Sequence, residues 1–245
     1  MQPGTPLSDA QPMSEPARLV AVFFDPKRAF ADIAARPRWW APLLISMLVA
    51  TVFVSLYSSR IGWERYLERA LESSPQLESL SAEQRQRIIE QQSSLAGVMS
   101  YVGAVAGTVI TTVVAAGALL FVTNLMLSAE LVFRQVFAVT CYSFLPNVLA
   151  ALLGILMMFL KHPEDFDLEN PTAFNIGAWL DAASTPKWLI ALASSIDLFS
   201  IWVILLLALG ISSMARKVSY GKALAVVIGL WVIWVALKAL RYAVF

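Results

Sequence analysis

Few side chains in these 245 residues could do chemistry, and Asp197 stands out among them, in the stretch Ser194-Ser195-Ile196-Asp197-Leu198-Phe199-Ser200. It is the one charge between residues 188 and 215. A carboxylate deep in a run that apolar costs about 2.5–3.5 kcal/mol on membrane-insertion scales, so it needs a partner or a task. One reading is a proton or ion site. The other is a buried clasp with Lys238. With a turn centred near Arg216, an antiparallel hairpin sets Asp197 and Lys238 at depths roughly 4–5 Å apart, within a lysine's reach. Asn147, in Pro146-Asn147, falls at a similar depth. Its amide could hydrogen-bond Asp197, or donate to the backbone carbonyl that Pro146 leaves without a donor.

The rest of the inventory argues against catalysis. One histidine, His162, and one cysteine, Cys141, rule out multi-histidine metal sites, thiolate clusters and a disulfide framework. The sequence has no HExxH, no paired intramembrane aspartates and no glycine-rich phosphate loop. His162 precedes Pro163 in a loop, which does not suit a serine–histidine dyad in the membrane. Glu164, Asp165, Asp167 and Glu169 lack the regular spacing and central glycine of a calcium loop, and read as solvated acids. The expectation is a chain that is not an enzyme and takes no metal or cofactor.

The elements that must position these residues are membrane helices. Apolar residues make up 58% and charged residues 14%, against roughly 45–50% and about 25% in soluble domains. Mean hydropathy is +0.68. A net charge of +1 excludes a nucleic-acid binder. Residues 39–59, 91–129 and 135–160 carry no charge, and 223–245 carry only Lys238 and Arg241. A helix needs about 20 apolar residues to cross, and barrel strands alternate over about 10. The runs predict an all-α polytopic membrane protein with five transmembrane helices near 39–58, 98–127, 135–160, 188–211 and 222–244. The second overshoots the bilayer, and tilt, extension into solvent or a break at Gly117 could absorb the excess. Gly103 and Gly107 form a GxxxG, continued by Thr111 and Ala115. It is a helix-packing motif, within the chain or in a homo-oligomer.

Outside the spans, residues 1–18 read as a disordered polar tail rather than a signal peptide. Asp25-Pro26 is an N-cap followed by proline, opening a short helix with Ala29, Phe30, Ile33 and Ala34 on one face. This amphipathic helix could lie in the headgroup plane, with Phe30, Ile33, Arg36, Trp39 and Trp40 as interfacial anchors, or pack under the bundle. Residues 60–94 form a helical insert: a charged helix over Ile61–Glu72, a break at Ser73-Ser74-Pro75, and a second helix started by Ser81 with Gln84 as capping-box partner. Residues 161–187 are an acidic, proline-containing loop. Nine cations fall on each side, but those in the short loops favour a cytoplasmic N-terminus, with net charge +4 inside and −2 outside. Five crossings then put the C-terminus outside.

The order of motifs resembles the Yip1-domain family of five-span membrane proteins, in its bacterial variety. The matching pieces are Phe24-Asp25-Pro26-Lys27-Arg28-Ala29-Phe30 with Ile33, Arg36-Pro37 and Trp39-Trp40; Leu145-Pro146-Asn147; Ile196-Asp197-Leu198-Phe199-Ser200-Ile201-Trp202; and Arg216-Lys217-Val218-Ser219-Tyr220-Gly221-Lys222-Ala223. The resemblance covers roughly residues 19–240. It lacks the Asp-Leu-Tyr-Gly-Pro motif of eukaryotic members, which bind Rab-type GTPases. For the bacterial variety it implies a location in the inner membrane. Two functions follow as expectations. The first is a non-catalytic adaptor or organiser that binds protein partners in the bilayer. The second is a transporter or lipid-handling protein that uses Asp197, Lys238 and Asn147.

Overall fold

The computed structural model describes residues 12–72, 81–168, 170–181, 184–215 and 217–244. Within them the regular structure is helical, apart from one isolated antiparallel bridge between Asn175 and Asp197. The helices are α1 (Glu15–Phe24), α2 (Pro26–Ala35), α3 (Trp40–Arg60), α4 (Trp63–Glu72), α5 (Ala82–Val102), α6 (Thr108–Leu127), α7 (Phe133–Ser143), α8 (Leu145–Leu160), α9 (Lys187–Ser194), α10 (Leu198–Met214) and α11 (Tyr220–Val244). Four stretches are long and apolar enough to cross a membrane: Trp40–Arg60, Ala82–Leu127, Phe133–Leu160 and Tyr220–Ala243. The chain is an integral membrane protein. The expected fourth span, 188–211, is not one helix: it divides into α9 and α10, and α10 has only 17 residues.

Local chemistry explains most boundaries. Asp25 Oδ1 accepts from the Arg28 N–H at 3.4 Å and Pro26 opens α2. Ser81 and Gln84 form the reciprocal capping box at the start of α5, at 2.9 and 3.2 Å. The charged helix of the insert begins at Trp63 rather than Ile61, and the expected break at 73–75 lies outside the described residues. From Ala82 the helix continues to Leu127, 46 residues or about 70 Å, more than twice a hydrocarbon core of about 30 Å. It does not break at Gly117. Its irregularity is a π-helical turn at Gly103–Gly107, where two poor helix formers bracket the turn and the Thr108 hydroxyl donates to Ala104 O at 2.7 Å. Helices α7 and α8 meet at Phe144, because Pro146 has no N–H with which to continue the ladder. The turn into α7 is clamped by Asn124, whose amide donates to Leu131 O and accepts from Leu131 N, both at 2.9 Å.

Helix α10 is the hub of the bundle, packed on α2, α7, α8 and α11. Its Val203, Leu207, Ala208 and Ile211 share a core with Ala116, Leu119, Val136, Phe137 and Val227. A Cβ on Gly210 would lie 2.3 Å from Val139 and 3.1 Å from Phe30, so the glycine is what lets α2 and α7 both reach α10. At one end of α3, Trp39 packs edge-on against Phe137; at the other, Arg60 Nε donates to Met158 O at 2.9 Å. Between these ends the 21 residues of α3 span about 30 Å, one hydrocarbon thickness.

At the N-terminus one expected boundary moves, and of the two alternatives for the amphipathic helix the structure has the one packed under the bundle. The polar tail ends sooner than residue 18, since α1 starts at Glu15 behind an Ser14 N-cap; residues 1–11 lie outside the described residues. Of the interfacial anchors, Phe30 and Ile33 are fully buried against Val139, Leu145 and Leu206, so protein rather than lipid covers them. Helix α1 supplies the missing cover: it folds back on α2, and Val22 completes the packing. Trp39 and Trp40 remain about half exposed, and Arg36 pairs with Asp32 at 3.4 Å.

Candidate functional site

The interruption at residues 195–197 shapes the first site. Ser195 and Asp197 can both offer side-chain oxygens to nearby backbone, which competes with helix continuation. Asp197 takes an extended conformation (φ −127°, ψ 161°) and caps α10. Every donor in the first turn of α10 has a partner. Leu198 N donates to Phe174 O at 3.3 Å, Phe199 N and Ser200 N to Asp197 Oδ1 at 2.9 and 3.0 Å, and Ile201 N to Asp197 O at 3.1 Å. The Ser200 hydroxyl donates to Asp197 Oδ2. The segment 170–176 reaches down beside the break, and Ile176 N donates to Ile196 O at 3.3 Å. This approach depends on Gly177: a Cβ there would stand 2.1 Å from Ser194 Oγ and 2.9 Å from its backbone N.

Beneath that segment lies a cavity of about 440 Å³. Asp197, Asn175 and Ser194 line it together with Phe53, Phe174 and Phe199. Ala50, Phe53 and Val54, also in its wall, come from the middle of α3. Asp197 therefore sits level with the centre of that helix. Non-helical backbone at such a depth is tolerated where protein buries it or where it borders a cavity, and here both hold.

The three intramembrane polar residues are not brought together. Lys238 Nζ bonds Ser195 Oγ at 3.3 Å instead of pairing with Asp197. Lys238 meets the chain two residues before Asp197. The break, however, leaves Ser195 with α9 against α11, while Asp197 turns toward α3 and α8. Asn147 is exposed and borders a second cavity of about 360 Å³ with Ser46, Gly107 and Thr111. Neither Asp197 nor a freed carbonyl takes its amide among the described hydrogen bonds. Nor do Gly103 and Gly107 act as a close-packing face within the chain. A Cβ on either would meet nothing within 4 Å, because the π-turn leaves that side of the helix open.

A second site was invisible in the sequence. Arg18, 1% exposed, donates through Nε to Asp32 Oδ2 and pairs through Nη1 with Glu15 at 3.1 Å. Tyr142 OH, from α7, donates to Glu15 Oε2 at 2.6 Å. Arg36 reaches Asp32 at 3.4 Å and Arg38 reaches Glu15 at 3.5 Å, both from more exposed positions. Burial alone would lower the pKa of Arg18. The hydrogen bond and charge of Asp32, the charge of Glu15 and the hydrogen bond of Tyr142 outweigh it and raise the pKa above the ordinary arginine range. The cluster pins the α1–α2 hairpin to the bundle. Arg18 and Asp32 lie 14 residues apart and Tyr142 and Glu15 127, so local spacing could reveal only the Glu15–Arg18 and Asp32–Arg36 pairs.

Comparison with known families gives a match to the Yip1 domain over residues 20–240. The chain belongs to the Yip1 domain family. Neither curated proteins nor solved structures gave a match. In this Yip1 domain the broken helix, both cavities and Tyr142 lie inside the matched residues, whereas Glu15 and Arg18 precede them.

Proposed function

We propose that this Yip1 domain is a non-catalytic membrane adaptor of a bacterial inner membrane, crossing five times with its N-terminus in the cytoplasm. The observation that carries the reading is the reach of α5. A helix of 46 residues from Ala82 to Leu127 exceeds one bilayer core by about 40 Å. In α5 only Ile89 is buried, and α4 packs alongside. That pair forms a charged platform beyond the membrane, suited to protein contact rather than to chemistry. On the opposite face the pinned α1–α2 hairpin presents Lys27 and Arg28, both exposed. Photo-crosslinkers placed at Gln86 and Gln91 should capture discrete protein partners in native membranes. Recovery of lipid adducts alone would overturn the adaptor reading.

A second reading, a transporter or lipid-handling protein, draws on a specific feature. A discontinuous helix whose terminus faces a cavity near mid-depth is a recurring element of transporters. Reconstituted vesicles would test it by flux of ions, small solutes and labelled lipid. Absence of all three would count against it.

A further inference from the structure

Asp197 has its hydrogen bonds, but among the described residues no cation pairs with it. Among the described residues that line its cavity, none is basic, and Lys238, the cation expected to pair with it, is engaged by Ser195. The positive end of α10 offsets the carboxylate only in part, since a helix terminus carries about half a unit charge. The cavity's volume, about 440 Å³, falls within the roughly 300–1,000 Å³ of small-molecule sites and is far larger than a bare metal ion needs. Its lining mixes polar and aromatic side chains. Asp197, Asn170, Thr172, Asn175 and Ser194 supply polar groups, and Phe53 lines it with Phe174 and Phe199, which meet edge to face with centroids 6.2 Å apart.

We propose that this cavity is a binding site for an organic ammonium ion with an apolar body. The carboxylate of Asp197 takes the ammonium group and the phenylalanines cover the tail. A carboxylate and aromatic rings lining one cavity at low local dielectric favour such a cation doubly, through charge and through cation–π attraction. A neutral molecule of the same shape gains only the apolar half. This site requires neither partner binding nor transport. The adaptor could fail while the site holds, and the reverse.

The test is isothermal titration of the purified full chain in nanodiscs, with 2-phenylethylammonium as probe and 2-phenylethanol as its neutral counterpart. The ammonium should bind saturably at one site per chain, and the alcohol at least about tenfold more weakly. Asp197→Asn retains a good helix cap, so the fold should survive, while affinity falls about tenfold or more. Thr172→Lys, on the cavity wall, brings an internal ammonium and should block the probe without touching the cap. Equal binding of amine and alcohol, undiminished binding in a folded Asp197→Asn variant, or no saturable binding of the amine overturns the proposal. If Asp197→Asn fails to fold, unchanged binding by Thr172→Lys overturns it in the same way.

Discussion

At the scale of single residues, the two ionic features differ in how their charges are met. Arg18 is buried and doubly paired, so removing it takes the central cation from two carboxylates and leaves Asp32 with only Arg36, and Glu15 with only Arg38 and the Tyr142 hydroxyl. Breaking a buried pair from one side costs about 3–5 kcal/mol, more than the pair contributes when intact. Arg18→Met should lower stability to denaturant by about that amount, while Arg18→Met with Glu15→Gln and Asp32→Asn should recover much of it. The same loss can be read as motion. In a Cys141→Ser background a cysteine at Val22, buried under the hairpin, should resist maleimide until Arg18 is replaced. The raised pKa of Arg18 keeps it charged, and its contribution present, at every pH below the unfolded arginine range; only strong alkali would remove it. Gly177 offers an independent residue-scale test. Gly177→Ala puts a methyl 2.1 Å from Ser194 Oγ and 2.9 Å from a backbone nitrogen, whereas Gly221→Ala meets nothing within 4 Å. Yield and melting temperature should drop sharply for the first and stay unchanged for the second.

At the scale of elements, what could be read in advance was what local chemistry decides. Asp25-Pro26 and Ser81 with Gln84 start helices where their side chains reach the backbone, and the uncharged runs mark membrane helices because charge is costly in lipid. The break after Ser194 left no hydropathic trace, since an apolar run looks the same whether its backbone bonds along one helix or to a neighbouring segment. Only Ser194-Ser195 and Asp197 hinted at it, and their meaning depended on Gly177 lying close by. The hairpin α1–α2 was half legible: the apolar face of α2 was plain, but its cover came from α1, and its lock from Tyr142 in α7. Within the chain, the GxxxG marks a π-turn rather than a tight helix contact. The open space at Gly103 and Gly107 makes a definite prediction. Gly103→Ala and Gly107→Ala should be neutral, or stabilise the isolated chain by up to about 1 kcal/mol each through helix propensity. Circular dichroism with thermal melting in detergent would check this. A large loss of stability would mean that the helix packs there more closely than the structure has it.

At the scale of the whole molecule, the two ends of the bundle can be assigned before any membrane is added. The α6–α7 and α10–α11 turns share one end, where Lys217 pairs with Glu130 at 3.6 Å, both well exposed. The opposite end holds Arg60 on Met158 and an aromatic cap of Tyr57, Trp63 and Phe166. The α6–α7 turn follows an even number of long helices from the N-terminus, α3 and the α5–α6 helix, so it returns to the N-terminal side. If α9 and α10 together make a crossing, their interruption notwithstanding, the turn at Lys217 is on that side as well and α11 carries the C-terminus across. The ion pair between Glu130 and Lys217 favours that path, because one short bridge could not join turns on opposite faces. In a Cys141→Ser background, single cysteines at Glu130 and Lys217 should label from the cytoplasmic face of oriented vesicles. One at Lys161, and a tag after Phe245, should label from the other. A tag that shared the cytoplasmic face with Glu130 would reduce the crossings to four and make α9–α10 re-entrant.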